Sequence, residues 1–164
     1  MKKTFTAIIA ILGINLLSTF HSVAAPAKFY GTDYSGVYSC KGSNAKVGDY
    51  ELTVTFSLNK ANSSGNIGNY DLSVQTENPT AYTGQATVKG NDMALTIKFV
   101  DGNKHTYSTG LAKFKRIYVE ERRFSYRSEY YESDTKANAN PDAEKPGNFG
   151  SEECIQKPSN SNPS

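Results

Sequence analysis

Hydrophobic and polar residues alternate along most of the chain. Residues 49–58, DYELTVTFSL, have an apolar side chain at every even position and a polar one at every odd position. The same period of two appears in residues 70–76, 82–88 and 93–99. Successive side chains of a β-strand point to opposite faces, so each segment is predicted to be a half-buried strand.

The turn signal Gly90-Asn91 allows the register of one hairpin to be predicted. A two-residue turn places Lys89 opposite Asp92, and it then pairs inward residues with inward residues along both strands. The predicted inward pairs are Val88 with Met93, Ala86 with Leu95, Gly84 with Ile97 and Tyr82 with Phe99.

The next hairpin turns at Asp101-Gly102. A two-residue loop there would pair the inward residues of the preceding strand with even-numbered residues of the following strand. His105 and Tyr107 would then face outward. We therefore predict a three-residue loop, 100–102 or 101–103, which places His105 and Tyr107 on the inner face.

The segment 119–133, VEERRFSYRSEYYES, combines seven charged residues with four aromatic residues. As a strand, it places aromatic side chains inside at even positions and charged side chains outside at odd positions. Its four glutamates and three arginines give a net charge of −1, so we interpret the charged face as solvated rather than phosphate-binding. The inward aromatic residues are Phe124, Tyr126 and Tyr130.

Residues 133–153 contain no aliphatic side chain larger than alanine, which predicts a long, mobile polar loop. Residues 157–164 are predicted to be a disordered tail. The whole pattern predicts an all-β fold, a single antiparallel meander of about seven to eight strands that forms a small barrel or a sandwich. One domain, residues 26–156, accounts for it.

The N-terminus carries Lys2 and Lys3, then a mostly apolar run over residues 5–17, then small residues. This order is typical of a secretory signal peptide, here residues 1–25, with cleavage between residues 24 and 27. The apolar run is shorter than the roughly 20 residues that span a bilayer, which makes a retained membrane anchor the weaker interpretation. We expect export to the periplasm or secretion.

Cys40 and Cys154 are the two cysteines of the chain. In an oxidising compartment they are predicted to form a disulfide, and two inert buried thiols are the alternative. Two cysteines and the one histidine left after signal cleavage, His105, fall short of the four ligands of a structural zinc site, so no metal is expected.

Loss of Lys2 and Lys3 from the 18 basic residues would balance the mature chain against its 16 acidic residues. This removes the basic excess of a nucleic-acid-binding protein. His105 alone cannot supply a catalytic triad, and no nucleotide-binding motif is present, so we expect neither an enzyme nor a cofactor. A carboxylate-pair hydrolase stays open, because its two acids need not be neighbours in sequence.

The stretch SGVYSCKG, residues 35–42, followed by a meander and a late arginine-bearing strand, resembles the calycin barrels, the lipocalin and avidin group. Gly36-Val37-Tyr38 stands where those proteins carry Gly-x-Trp. The resemblance implies a closed barrel that holds a ligand. It also implies that a basic residue covers the Tyr38 ring, and the candidates are Arg122, Arg123 and Arg127.

Two functions follow from these expectations. The first is an exported β-barrel binding protein for a small, partly apolar molecule, with His105, Tyr107, Tyr82 and Tyr126 as ligand-binding residues at one end of the barrel. The alternative is an extracytoplasmic interaction or inhibitor protein with no small-molecule ligand. An interior cavity would favour the first, and an interior filled by aromatic side chains the second.

Overall fold

The alternating pattern folds into eight antiparallel strands in a computed structural model, which describes residues 27–76, 81–101, 104–118, 122–132 and 148–158. Consecutive strands pair with one another, and the last pairs with the first to close a barrel. The all-β meander is therefore confirmed, as a barrel. The strands are β1 (Gly36–Asn44), β2 (Gly48–Leu58), β3 (Ile67–Thr76), β4 (Ala81–Lys89), β5 (Asp92–Asp101), β6 (Lys104–Ile117), β7 (Arg123–Glu132) and β8 (Asn148–Gln156).

The predicted β4–β5 register is confirmed. Lys89 pairs with Asp92 across the Gly90-Asn91 turn, and the inward pairs follow as expected down to Gly84 with Ile97. Farther along, the rings of Tyr82 and Phe99 meet edge to face, with their centroids 4.8 Å apart. Local alternation and a tight turn were enough to predict this hairpin, because both strands have a clearly apolar face.

Aromatic side chains fill one end of the barrel, which we call the plugged end. Tyr34 precedes β1, stacks on Phe114 with ring centroids 4.0 Å apart, and donates a hydrogen bond to the carbonyl of Gly90 at 2.9 Å. Tyr38 is fully buried and donates to the Tyr34 carbonyl at 2.8 Å. Phe56 packs edge to face against Tyr38. This half of the interior is occupied by the protein's own rings.

The predicted odd loop between β5 and β6 is wrong. Asp101 pairs with Lys104 and Phe99 with Thr106, so Tyr107 falls on the outer face, where it is 47% exposed. Before Phe114, the inner face of β6 carries small residues instead, from Thr106 to Ala112, and they leave room for larger side chains from neighbouring strands. At Gly110, for example, an added Cβ would lie 3.0 Å from Cβ of Tyr130.

The predicted Cys40–Cys154 disulfide is confirmed. The two cysteines are direct partners in the β1–β8 ladder, and both are buried. The bridge therefore crosses the seam where the last strand closes the barrel on the first.

Part of the predicted polar loop, residues 148–153, is the first part of β8, so that part of the prediction is wrong. These polar residues form a strand because β8 pairs with β7 on one side and with β1 on the other. The rest of that loop, the predicted signal peptide, and residues 159–164 of the predicted tail lie outside the described residues. Within the described ranges, no helix has the length and apolar character needed to cross a membrane.

The arginines expected over Tyr38 lie elsewhere. Arg123 lies over the Tyr118 ring, 4.7 Å from its centroid, and donates two hydrogen bonds to the Gln156 carbonyl. Arg127 faces solvent on the outer surface, 3.9 Å from a carboxylate oxygen of Glu153. Arg122 is exposed.

Candidate functional site

Polar side chains collect at the end of the barrel opposite the plug, where β1 finishes and β8 begins. We call this the distal end. Strands β7, β8 and β1 contribute the polar side of its interior, through Ser128, Tyr130, Glu152 and Asn44. Tyr50 joins them from the start of β2, because it pairs directly with Gly42 of β1.

A chain of hydrogen bonds links these groups. Asn44 Nδ2 donates to the Tyr130 hydroxyl at 2.9 Å, and the hydroxyls of Tyr130 and Tyr50 lie 2.7 Å apart. Tyr50 donates to Oε1 of Glu152 at 2.8 Å. Tyr50 has one hydroxyl proton, so when Glu152 is ionised the proton between the tyrosines belongs to Tyr130. The carboxylate is thus the final acceptor of a directed chain.

Two glycines provide the space that the tyrosine rings occupy. An added Cβ at Gly42 would lie 2.3 Å from the Tyr50 ring, and one at Gly150 would lie 2.3 Å from the Tyr130 ring. Each glycine is the direct cross-strand partner of the tyrosine it accommodates. The ring positions, and therefore the hydroxyl positions, depend on these two residues.

The distal end disfavours negative charge. Burial raises the pKa of Glu152 above its usual 4.5, the Tyr50 hydrogen bond opposes this rise, and the Glu132 carboxylate adds to it. Burial also raises the pKa of Tyr50 well above its usual value, and the neighbouring Glu152 carboxylate contributes to that rise. Both effects reflect anions placed in a poorly solvated space.

Two buried oxygen atoms in this region make no hydrogen bond of normal geometry to any described group. They are Oγ of Ser128, whose side chain is 1% exposed, and Oδ1 of Asn148. Ser128 pairs with Glu152 across the ladder and is close enough to lower the pKa of that carboxyl group. Asn148 donates its amide to Glu132 Oε2 at 3.0 Å. A serine hydroxyl beside a carboxylate can turn its proton toward it, so the Ser128 oxygen belongs to the same polar cluster as Glu152.

Strands β2, β4 and β5 supply an apolar side of the barrel interior. Its half-buried residues pack against the core, and they include the edge-to-face pair of Tyr82 and Phe99. Leu52 and Leu95 belong to the same group. The barrel interior therefore combines an apolar wall with an acidic, hydrogen-bonding wall at the distal end.

The disulfide lies beside this polar wall. Sγ of Cys40, Sγ of Cys154 and a carboxylate oxygen of Glu152 lie within 4.8 Å of one another. The sulfurs are joined to each other, so they offer no thiolate to a metal ion. The Tyr126 hydroxyl donates to Sγ of Cys40 at 3.6 Å, because the disulfide sulfur carries no proton.

The four predicted ligand-binding residues do not form one cluster. Tyr82 lies inside, as predicted, whereas Tyr126 is buried in the core among the aromatic rings of the plugged end. Tyr107 is on the outer face, which corrects its predicted position. The backbone of His105 pairs with Val100, but its side chain lies outside the described part of the structure.

Sequence reasoning missed the residues that form the polar cluster. Alternation within residues 123–130 did indicate that Ser128 and Tyr130 face inward, and it indicated the same for Tyr50. Glu152 had no such signal, because its segment reads as a loop. Only the pairing of β8 with two neighbouring strands assigns Glu152 to the interior.

A groove of about 930 Å³ runs over the outer face of β6, β7 and β8. Exposed apolar side chains line it beside charged ones: Leu111 is 72% exposed, Tyr118 60% and Ile155 48%. Lys113, Arg127 and Glu153 supply charges of both signs. This surface is separate from the distal end and faces away from the barrel interior.

Comparisons with protein-family models, with curated proteins and with solved structures find no match to this chain.

Proposed function

We propose that the protein is an exported binding protein that holds a small, partly apolar molecule in the distal end of its barrel. The observation that carries this proposal is the combination, at the distal end, of an apolar wall with a fixed set of polar groups, the hydroxyls of Tyr50 and Tyr130 and the carboxyl group of Glu152. Polar groups placed beside an apolar wall can orient a small, partly apolar ligand.

The plugged end limits the size of the ligand. Tyr38, Phe56 and Phe114 are each at most 2% exposed and contact one another. Their rings occupy the interior that a deep, apolar ligand would need. The ligand is therefore confined to the distal end, where the polar wall can orient it.

Export is part of the same proposal. The disulfide at the barrel seam is typical of proteins that fold in an oxidising compartment, which agrees with the signal peptide expected at residues 1–25. Periplasmic and secreted locations both satisfy this condition.

We propose binding without catalysis. Glu132 and Glu152 are the carboxylate pair at this end, but each already accepts a hydrogen bond, from Asn148 and Tyr50 respectively. These hydrogen bonds hold the two carboxyl groups in place, which suits a fixed recognition surface.

NMR of the isotopically labelled exported protein tests the binding proposal. Mixtures of small alcohols, amines and carboxylic acids are added, and the backbone amide signals are followed. At least one compound is expected to shift the signals of Tyr50, Ser128 and Glu152 while leaving those of Val88 and Met93, near the plugged end, unchanged. If no compound shifts the distal-end signals, the proposal is wrong.

The outer groove supports a second candidate function, docking of a protein partner. Three exposed apolar side chains, Leu111, Tyr118 and Ile155, line it, and grouped exposed apolar residues are typical of interaction surfaces. A photo-crosslinking amino acid at position 111 is expected to capture a specific partner during export, whereas one at Thr83, on the outer face of β4, is not. Absence of a crosslink specific to position 111 counts against this candidate.

A further inference from the structure

Large apolar side chains are exposed mainly on one side of the barrel. Of the ten that are exposed among the described residues, six lie on or beside the outer surface of β6, β7 and β8, which we call the β6–β8 face. The outer faces of β2 and β4, by contrast, carry mostly threonine, serine, glutamine and charged residues. Grouped apolar side chains on one face indicate an interaction surface. The six residues are Tyr107, Leu111, Tyr118, Tyr131, Phe149 and Ile155.

The β-ladders determine which residues of this face lie side by side. Along β7, the outward residues Arg127 and Glu129 follow one another, and both are exposed. The contact of Arg127 with Glu153 spans 3.9 Å and leaves its side chain 66% exposed, so Arg127 can also contact another carboxylate. The two central rows of the face, read from β6 to β8, are Lys113, Arg127, Glu153 and Leu111, Glu129, Ser151.

We propose that the β6–β8 face binds a second copy of the chain, related by a two-fold axis that crosses β7 between Arg127 and Glu129. A two-fold interface must be complementary to itself, so a positive residue needs a negative residue at the position related by the axis. An axis that lies in the interface perpendicular to β7 meets this condition, because it places Arg127 of each copy opposite Glu129 of the other. This inference rests on the docking candidate described above and names its partner. The ligand site at the distal end is independent of it.

The flanking rows agree with the same axis, which exchanges rows at equal distances on either side of it. On β8, it places Ile155 opposite Phe149 of the other copy, so two exposed apolar side chains become covered. On β6, it places Lys113 opposite Leu111 of the other copy, where the alkyl part of the lysine can pack. None of these rows sets two like charges against each other.

The other face-to-face two-fold arrangement does not fit the charges. An axis parallel to β7 would place Arg127 opposite Arg127 and Glu129 opposite Glu129. Like charges brought together in an interface cost free energy, which suppresses the wrong arrangement. The order of charges along β7 therefore selects the perpendicular axis, in which the β7 strands of the two copies run antiparallel.

Sedimentation velocity of the exported protein over a wide range of concentrations tests the proposal. The native protein is expected to form a dimer that dissociates on dilution. Arg127→Glu and Glu129→Arg should each weaken this dimer at least about tenfold, because each change brings like charges together at both contacts. An equimolar mixture of the two variants should dimerise again, because in the mixed dimer both contacts join opposite charges.

Charge reversals elsewhere on the barrel are the matched controls. Asp71→Arg and Lys89→Glu change exposed residues on the outer faces of β3 and β4, so they should leave the dimer unchanged. Amide spectra that are unchanged away from β7 establish that each variant is folded. Recovery of the dimer on mixing also excludes misfolding as the cause of the loss, because neither variant could regain a lost fold by meeting the other.

Photo-crosslinking from position 111 locates the contact. In a mixture of isotopically light and heavy chains, the product is expected to have twice the mass of the chain. Its crosslinked peptides should join position 111 of one chain to the region of Lys113 in the other.

The outcomes separate the second copy from other partners. A protein that stays monomeric at every concentration refutes the dimer, as does a dimer that resists both charge reversals or is not restored by mixing the variants. If position 111 captures a different protein and the chain stays monomeric, the inference is wrong although the docking candidate holds. If position 111 captures nothing, both are wrong.

Discussion

The ring of Tyr50 lies against Gly42, its direct partner across the β1–β2 ladder, so closely that an added Cβ at Gly42 would lie 2.3 Å from Cζ of Tyr50. This contact sets the position of the hydroxyl that donates to Glu152. Gly42 on β1 therefore controls the hydrogen bond that Tyr50 on β2 donates to Glu152 on β8.

Gly42→Ala is expected to displace the Tyr50 ring and to lower the free energy of unfolding by about 1–3 kcal/mol, the usual cost of overpacking. The hydrogen bond to Glu152 should be lost with the displacement. Ser43→Ala, at the outward-facing neighbour, is the control and should stay within about 0.5 kcal/mol of the native protein. Urea unfolding gives both values. Equal stability of the two variants would contradict the contact.

The disulfide should stabilise the closed barrel substantially. Replacing both Cys40 and Cys154 by alanine is expected to lower the free energy of unfolding by about 2–5 kcal/mol, since the bridge joins residues 114 apart at the seam. Peptide mapping without reductant should recover the linked pair from exported protein. Two free thiols in that protein would show that the bridge does not form in its native compartment.

Two arginines of β7 should differ in their effect on stability. Arg127→Ala removes an exposed side chain whose ion pair spans 3.9 Å, so the change should stay within about 1 kcal/mol. Arg123→Ala should cost more, about 1–3 kcal/mol, because the guanidinium donates two hydrogen bonds to the Gln156 carbonyl. The sequence alone predicts small, similar effects for both. Denaturant midpoints that rank Arg127→Ala as the more damaging change would contradict the described contacts.

Phe124 anchors the inner face of β7. It is 8% exposed and meets the Tyr34 ring edge to face at 4.7 Å. Phe124→Ala is expected to lower the free energy of unfolding by about 3–5 kcal/mol. The outward-facing Ser125→Ala is the control for the same strand. A loss comparable to that of the control would mean that the ring is not part of the core.

The raised pKa of Glu152 predicts a specific pH dependence of stability. Above the unfolded-state pKa, near 4.5, the folded protein holds a proton on Glu152 that the unfolded chain has released. The contribution of Glu152 to stability is therefore fully present below that pH, and it is lost as the pH rises through the folded pKa. Glu152→Gln should remove this loss. The free energy of unfolding of the variant, minus that of the native protein, should therefore increase as the pH rises from about 4.5 through the folded-state pKa of Glu152. Urea unfolding at several pH values measures the difference, and a constant difference would refute the raised pKa.

Sequence alone was sufficient wherever one strand face is plainly apolar. The alternation in β2, β4 and β5 identified these strands, and the Gly90-Asn91 turn set the β4–β5 register because any slip would expose apolar residues. The two cysteines predicted the bridge, because the compartment expected from the N-terminus permits it and no other thiol competes. None of these inferences required knowledge of distant contacts.

Tertiary structure decided the parity of β6 and the existence of the first part of β8. Tyr107 and Leu111 are large and apolar but face outward, because larger side chains such as Tyr130 occupy the space inside Gly110. Glu152 looks like a loop residue, yet barrel closure pairs its strand on both sides and turns the carboxyl group inward. Neither outcome is encoded by local alternation. The buried face of a polar or mixed strand depends on its neighbours in the sheet, which supply the space and the hydrogen bonds. Some of these neighbours are distant in sequence, and they come together only when the barrel closes.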